Sequence, residues 1–322
     1  MLSSLQIKDK AHELGFDACG IAPAADLPEL QFFQEWLARG YAGSMRYLHR
    51  SAARRADVRN VVPSARTVIV VGTNYHTDRP FSIECQDAER AHIARYAWGD
   101  DYHDVILVRL LQLLHWMRET SSEPFDARAY VDTGPIQERV YAQHAGIGWI
   151  GKNTCVINPS LGSWLLLGEI VCSLDLEADP PALDQCGTCS LCIEACPTQA
   201  LIEPHVLDST RCISYLTIEL RGEIPNSLRT AIGTHAYGCD VCQEVCPWNS
   251  VAPLSNDSAW QPRPVWDLSS VTALSTLSDA ELEKALSGSA MQRAKVTGLR
   301  RNISIACENA AAKRHQTSEK LG

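Results

Sequence analysis

The sequence predicts an α/β domain over residues 1–177, a cysteine-rich domain over 178–250 and a short helical C-terminal segment over 251–322. Three observations carry this reading. Apolar residues at helical spacing alternate with short β-branched runs as far as about Leu176, the pattern of helices layered on one sheet. Eight of the 13 cysteines lie between Cys186 and Cys246. Proline-rich stretches, ADPPALDQ before the cysteines and VAPLSNDSAWQPRPVWDLSS after them, read as boundaries.

Taken in order, Leu5, Ile7, Ala11 and Leu14 share a helical face, Gly15 stops that helix, and DACGIA follows as a strand. Pro28 opens a second helix, in which Phe32, Phe33, Trp36 and Leu37 form an apolar stripe expected to face the core. RTVIVVGTNYH is a buried-type strand, and a long amphipathic helix runs from about Tyr102 to Glu119. FDARAYVDT is a further strand, and GPIQERVYAQHAG a helix with Pro135 at its first position and Gly146 beyond its last turn. IGWIGKNTCVINPSLGSWLLLGEIVCSLDL reads as two strands joined by a hairpin around Asn158 to Gly162. In the tail, Ser278 and Glu281 make a capping-box pattern that starts a helix.

With 322 residues, 45% of them hydrophobic, the chain has material for about two domain cores. The N-terminus has no basic region followed by a continuous apolar stretch, so no signal peptide is expected. TVIVVGT and WLLLGEIVC are strand-length, and the second carries Glu169, so neither spans a bilayer. The expectation is a cytoplasmic, reducing compartment, where clustered cysteines bind metal. A net charge of −9 disfavours broad attraction to nucleic acid. Locally, however, Arg293, Lys295, Arg300, Arg301, Lys313 and Arg314 face the single acid Glu308. A solvated helix face is the simpler reading of such a run.

The cysteines carry the strongest chemistry. Cys186, Cys189, Cys192, Cys196 and Pro197 have the Cys-x2-Cys-x2-Cys-x3-Cys-Pro spacing that holds iron–sulfur clusters in bacterial ferredoxins, where the fourth cysteine ligates the other cluster. Cys239, Cys242, Cys246 and Pro247 repeat the pattern without its first cysteine, since position 236 is Ala236. Cys212 is the one cysteine between the runs. The crossed arrangement then puts one cluster on Cys186, Cys189, Cys192 and Cys246, and the other on Cys239, Cys242, Cys196 and Cys212. Paired zinc sites are the alternative, but a third cysteine three residues on and a terminal proline are not part of that pattern.

Two such clusters move single electrons, and the large domain must supply what accepts them. No GxGxxG follows its first strand, which counts against a nicotinamide site. Asp132, in YVDTGPIQER, ends an apolar strand just before a helix, where a desolvated carboxyl could keep its proton as a general acid needs. Capping of the following helix is the plainer reading of Asp132. Glu138 and Arg139 read as an exposed charge pair, and Asp101 and His103 as turn residues or as lining of the same crevice. Gly146, Gly148 and Gly151 either let backbone approach a planar ligand or punctuate a hairpin.

Together, RYAWGDDYH, VDTGPIQER, GIGWIGKNT, GSWLLLGEI, CGTCSLCIEACPTQAL, RCISYLTIE and YGCDVCQEVCPWN resemble epoxyqueuosine reductase, from the N-terminal helices to beyond Arg301. The resemblance implies a cobalamin-dependent enzyme with two 4Fe–4S clusters and a nitroreductase-like α+β corrinoid domain related to reductive dehalogenases. The implied reaction is the last step of queuosine biosynthesis, removal of the epoxide oxygen from the modified base at the tRNA wobble position. By motif, Asp132 matches the proton donor, and Arg55, Tyr96, Asp132, Arg139, Lys152, Asn153 and Ser163 are placed near the corrinoid. In this context Arg293, Lys295, Arg300 and Arg301, with Arg54, Arg55 and Arg59, become candidates for tRNA phosphate contacts. Longer members run on into helical repeats that help grip tRNA, whereas this chain stops soon after TGLRRNISIACEN, which leaves the extent of the RNA interface open and the chemistry intact. An external low-potential electron donor, a monomer and no membrane partner are expected. The alternatives are a reductive dehalogenase, against which stand the missing twin-arginine signal and the basic tail, or an electron-carrier subunit without a tightly bound corrinoid.

Overall fold

The computed structural model describes residues 2–321, with side chains from residue 2 to residue 315. It divides into two compact units, each built from separate stretches of chain. The first comprises Met1–Tyr75, Tyr102–Cys189 and Pro247–Leu254, and the second His76–Asp101, Ser190–Cys246 and Ser255–Gly322. The contacts therefore do not follow three consecutive segments, 1–177, 178–250 and 251–322. Residues 76–101 leave the first domain because the strand His92–Ile93 pairs in parallel with His235–Tyr237, and because Asp100 N–H donates to Ala259 O.

In the first unit, strands Ala18–Pro23, Thr67–Asn74, Leu165–Cys172 and Ala127–Tyr130 lie in that order across one sheet. Every neighbouring pair is antiparallel, so the domain takes the α+β form of the expected fold. Thr67–Asn74 is buried at all its residues, which is why it reads as an unbroken apolar run rather than an alternating one. One face of the sheet is covered by Leu27, Leu30, Val58, Val140 and Tyr141, packed with Val68, Val70 and Val171. Over the other lies the helix Tyr102–Thr120, with Ile106, Leu110 and Leu113 fully buried. That approach is close: a Cβ on Gly168 would stand 3.0 Å from Ile106 Cγ2.

Three local expectations change. The aromatic stripe of the helix Glu29–Ala38 is mostly not core: Leu30 and Leu37 are buried, whereas Phe32 is 37% exposed and Phe33 stacks on Trp36 at a half-exposed site. Pro135 does not begin a helix, because the chain bends through 131–136 and the helix runs Glu138–His144. Around Asn158 a tight Asn158–Gly162 bridge forms, but its flanks go to different sheets: Val156–Ile157 pairs with Trp149–Ile150, and Leu165–Cys172 enters the central sheet.

The second unit carries the helices Val271–Thr276, Asp279–Leu286 and Lys295–Leu321. Ser278 and Glu281 form the capping box read from sequence. After Cys212, residues Tyr215–Glu219 make a π-helical turn, whose altered ladder leaves carbonyls to be met from elsewhere. The long C-terminal helix meets them. Arg301 donates to Leu216 O at 2.6 Å and Leu220 O at 2.8 Å, and the fully buried Asn302 donates to Thr217 O at 2.8 Å and Ala236 O at 2.9 Å.

Candidate functional site

The strand Ala127–Tyr130 ends in a turn that folds back on Tyr130. Only glycine fits at position 134, where a Cβ would stand 2.6 Å from the Tyr130 ring. Asp132 sits in that turn at φ 54°, a left-handed conformation that costs a non-glycine residue roughly 1–2 kcal/mol and needs fixed partners to persist. Its partners are present. Asp132 N–H donates to Glu138 Oε1 at 2.5 Å, its Oδ2 accepts the Tyr102 hydroxyl at 3.0 Å, and His103 Nε2 lies 3.3 Å from the same oxygen. The Tyr102 and His103 rings stack at 4.0 Å.

Asp132 therefore does not cap the following helix, whose N-cap is Gln137 without a side-chain bond. Its side chain is 59% exposed although dense protein backs it. Burial on the protein side opposes its ionisation, but the His103 and Tyr102 hydrogen bonds and the charges of His103 and Arg139 outweigh this and hold it below the usual carboxylate range. The sequence-level idea that desolvation keeps a proton on Asp132 is thus corrected. The raised carboxyls are behind it: burial first, then the charge of Asp132, pushes Glu138 up to about 7, and burial with the charge of Glu138 pushes Glu169 well up. Nor do Glu138 and Arg139 form a pair with one another, since Glu138 takes the Asp132 N–H and Arg139 donates to Thr154 O at 2.6 Å.

The other corrinoid candidates already have work within the fold. Arg55 donates to Ile136 O at 2.7 Å and Ser51 Oγ at 3.0 Å, which ties it to the Asp132 turn. Lys152 holds the first cysteine loop through Gly187 O at 2.7 Å and Cys189 O at 2.9 Å. Asn153 accepts Cys155 N–H, and Ser163 exchanges two bonds with Asn249 at 2.6 and 2.8 Å. Tyr96 belongs to the second unit, its hydroxyl 3.5 Å from that of Tyr237. Gly148 and Gly151 serve the local strand pair, since a Cβ on either would collide with Ile157, so the punctuation reading of these glycines holds.

None of the eight motif cysteines is in a disulfide. Cys196, Cys212, Cys239 and Cys242 lie in the second unit, whereas the other set has Cys186 and Cys189 in the first and Cys192 and Cys246 in the second. The second-unit set fits a cluster chemically. Cys196 Sγ accepts Ala200 N–H at 3.2 Å, Cys212 accepts from Ser214 and Tyr215, and Cys239 from Val241, the backbone bonds that cluster thiolates use. Burial pushes the Cys212 and Cys239 thiols up, and each feels a neighbouring thiol, Cys196 and Cys212 respectively. Such a site favours its anionic form only around bound metal. Among the described residues no three or more His, Cys, Asp or Glu side chains close around a point as a lone ion requires, and the fit rests on these sulfur contacts. Near Cys186, the Trp149 Nε1–H donates to Sγ at 3.4 Å.

The basic C-terminal segment is largely spoken for. Arg293 forms a bidentate pair with Glu219 at 2.8 and 2.9 Å, Arg300 bonds Asp279 at 2.8 Å, and Arg301 braces the π turn. Lys295 is exposed. The residues that composition and motif missed are the half-buried Glu138 and the fully buried Glu169 as a pair. Their one sequence signal is a lone acid inside the eight-residue apolar strand LLLGEIVC.

Comparison with known proteins identifies relatives of the whole chain. Residues 55–133 match the family profile described as Epoxyqueuosine reductase QueG, DUF1730, and residues 185–249 match a 4Fe-4S double cluster binding domain. The epoxyqueuosine reductase of Gloeobacter violaceus is 44% identical over 307 residues, covering 93% of this chain and 94% of that protein. A crystal structure of epoxyqueuosine reductase with an epoxyqueuosine-modified tRNA-Tyr stem loop superimposes with a TM-score of 0.84 at 29% identity, over 95% of this chain and 81% of that one. The Bacillus subtilis enzyme, in a structure whose catalytic aspartate loop is swung out of the active site, gives 0.84 at 27% identity over 95% of this chain and 81% of that one. At these identities and coverage, the chain belongs to the epoxyqueuosine reductase family.

Proposed function

We propose that this protein reduces epoxyqueuosine to queuosine at the wobble position of tRNA, with cobalamin and two 4Fe–4S clusters, and with Asp132 as proton donor. The observation that carries the reading is the Asp132 turn: an exposed carboxyl at φ 54°, held by Glu138, Tyr102 and His103. Cobalamin, when bound, supplies the nucleophile or electron donor toward the epoxide carbon, and the clusters supply its electrons one at a time. The chain's residues do the rest. Asp132, ionised at rest, has to take up a proton from solvent before it delivers that proton to the departing epoxide oxygen, a step worth roughly 100- to 10,000-fold. Arg139, exposed and acting on Asp132 through its charge, and Arg55, bonded to the same turn, are the members of the corrinoid set best placed beside the acid. Lys152 fixes the loop of Cys186 and Cys189. The crossed cysteine sets hold the clusters, and an external low-potential donor feeds them.

The tRNA partner is supported by the relative crystallised with its modified stem loop. Among Arg293, Lys295, Arg300 and Arg301, the exposed Lys295 is the best phosphate contact, because the three arginines hold the fold. A base worked on at this site has to leave its stack, which suits an anticodon loop. No described helix is long and apolar enough to cross a membrane, and a cytoplasmic location is the one where such tRNA is met.

The test is conversion. Anaerobically reconstituted protein, given cobalamin, a low-potential chemical reductant and an epoxyqueuosine-bearing stem loop, is expected to yield queuosine by mass analysis of the nucleosides. Protein that has taken up iron and corrinoid yet leaves the nucleoside unchanged overturns the reading. Asp132→Asn is expected to keep both cofactors and to lose turnover by roughly 100- to 10,000-fold.

A further inference from the structure

Behind Asp132 the first unit holds two carboxyl groups that the reaction as described does not use. Glu169 lies mid-strand, in register between Val70 and Tyr130, and is 0% exposed. Its carboxyl oxygens meet no hydrogen-bonding group other than the Glu138 carboxyl, which faces Glu169 near enough to share a proton. Glu138 in turn receives the Asp132 N–H at 2.5 Å. A buried acid in an apolar strand whose one partner is another carboxyl is costly, and two carboxylates facing one another at such a site cannot both be charged. Above the Glu138 transition the pair holds one proton and one negative charge, and below it two protons.

We propose that Glu138, backed by Glu169, is a positioning residue for Asp132: the charge carried by the pair accepts the Asp132 N–H and seats the catalytic turn in its left-handed conformation. The inference rests on the reading of Asp132 as the proton donor. The groups facing the pair are Asp132, Arg139 and Arg55, with His103 and Tyr102 bonded to Asp132 itself. Burial and the charge of Asp132 put the Glu138 transition at about 7. As pH rises through that value the Asp132 N–H gains a charged acceptor, and such hydrogen bonds are about twice as strong as neutral ones. The turn is therefore firmest when Glu138 is ionised and Glu169 keeps the proton.

The experiment compares the reconstituted enzyme with Glu138→Gln, which retains an oxygen to accept the N–H but cannot ionise, and with Glu138→Ala, which loses both properties. Turnover of the modified stem loop against pH and the protonated-carboxyl band in the infrared are the two readouts. Glu138→Ala is expected to lose kcat about 100-fold, the effect of a misplaced catalytic group, with KM for the RNA unchanged. Glu138→Gln, fixed in the uncharged form, is expected to show at every pH the lower turnover that the wild type has on its acid side, with no inflection near pH 7, and its carboxyl band no longer titrates there. Wild-type turnover and inflection retained in Glu138→Ala, or an inflection that persists in Glu138→Gln, would overturn the proposal. A wild-type carboxyl band with no change around neutral pH would do so as well, independently of any activity. Protein that shows the titrating band but leaves the RNA unchanged overturns the reaction on which the inference rests, so the two failures are told apart.

Discussion

At the scale of single residues, charge placement around one turn determines what each acid can do. Asp132 is held ionised by His103, Tyr102 and Arg139, whereas Glu138, six residues on, is pushed up to about 7. The fold therefore favours neutral Glu138. Its stabilising contribution is complete below the ordinary value of 4.5 and is lost as pH rises through about 7. Glu138→Gln, always neutral, is expected to melt with the wild type at about pH 4.5 and above it at about pH 8, by roughly 2–4 °C for each kcal/mol. Calorimetric scans at the two pH values check this, and equal melting at both would contradict it. The functional form of Glu138 would then be the less stable one, a familiar trade at active sites. Sequence reasoning located Asp132 but misjudged its proton, because the deciding partners Tyr102 and His103 are about thirty residues away along the chain and adjacent only in space.

Among the elements, the long C-terminal helix changes its meaning most. A run of Arg and Lys against one acid reads as an RNA-facing surface, yet Arg301 reaches inward to three carbonyls of 216–222, the third being Gly222 O. The π turn it braces begins three residues after Cys212. Arg301→Met leaves these carbonyls unmet, at about 1–3 kcal/mol for each that stays dry. It is expected to lower iron content from about eight per chain toward about four, the loss also expected of Cys212→Ala. Iron and sulfide analysis of the anaerobic protein decides the matter; full iron in Cys212→Ala would remove Cys212 from the second cluster. The helix at Glu138 was displaced from its expected start at Pro135 for a related reason, since the Asp132–Glu138 bond draws the intervening residues into a bend.

For the whole molecule, charge decides how RNA is met. A protein of net charge −9 repels most nucleic acid surface, so a stem loop must be held at few places. Lys295→Glu is expected to weaken stem-loop binding and to reduce the salt slope by about 1. An unaltered slope in a binding titration would move the interface away from Lys295. Arg300 and Arg301 make poor probes of RNA contact, because changing them disturbs Asp279 and the π turn as well. The two units, each assembled from three stretches, also explain why linear boundaries at 177 and 250 were natural to draw but are not how the contacts divide.

The sequence by itself determined the ligand chemistry and the local elements: the cysteine spacing, the buried strand Thr67–Asn74, the helix Tyr102–Thr120 and the capping box at Ser278. These are short-range properties, fixed by residue type and period. Tertiary structure alone decided the antiparallel strand order, the protonation of Asp132, the use of Arg301 inside the fold and the meeting of Glu138 with Glu169. Each depends on which distant groups share a dry space, and electrostatic cost in such a space is set by neighbours rather than by position in the chain.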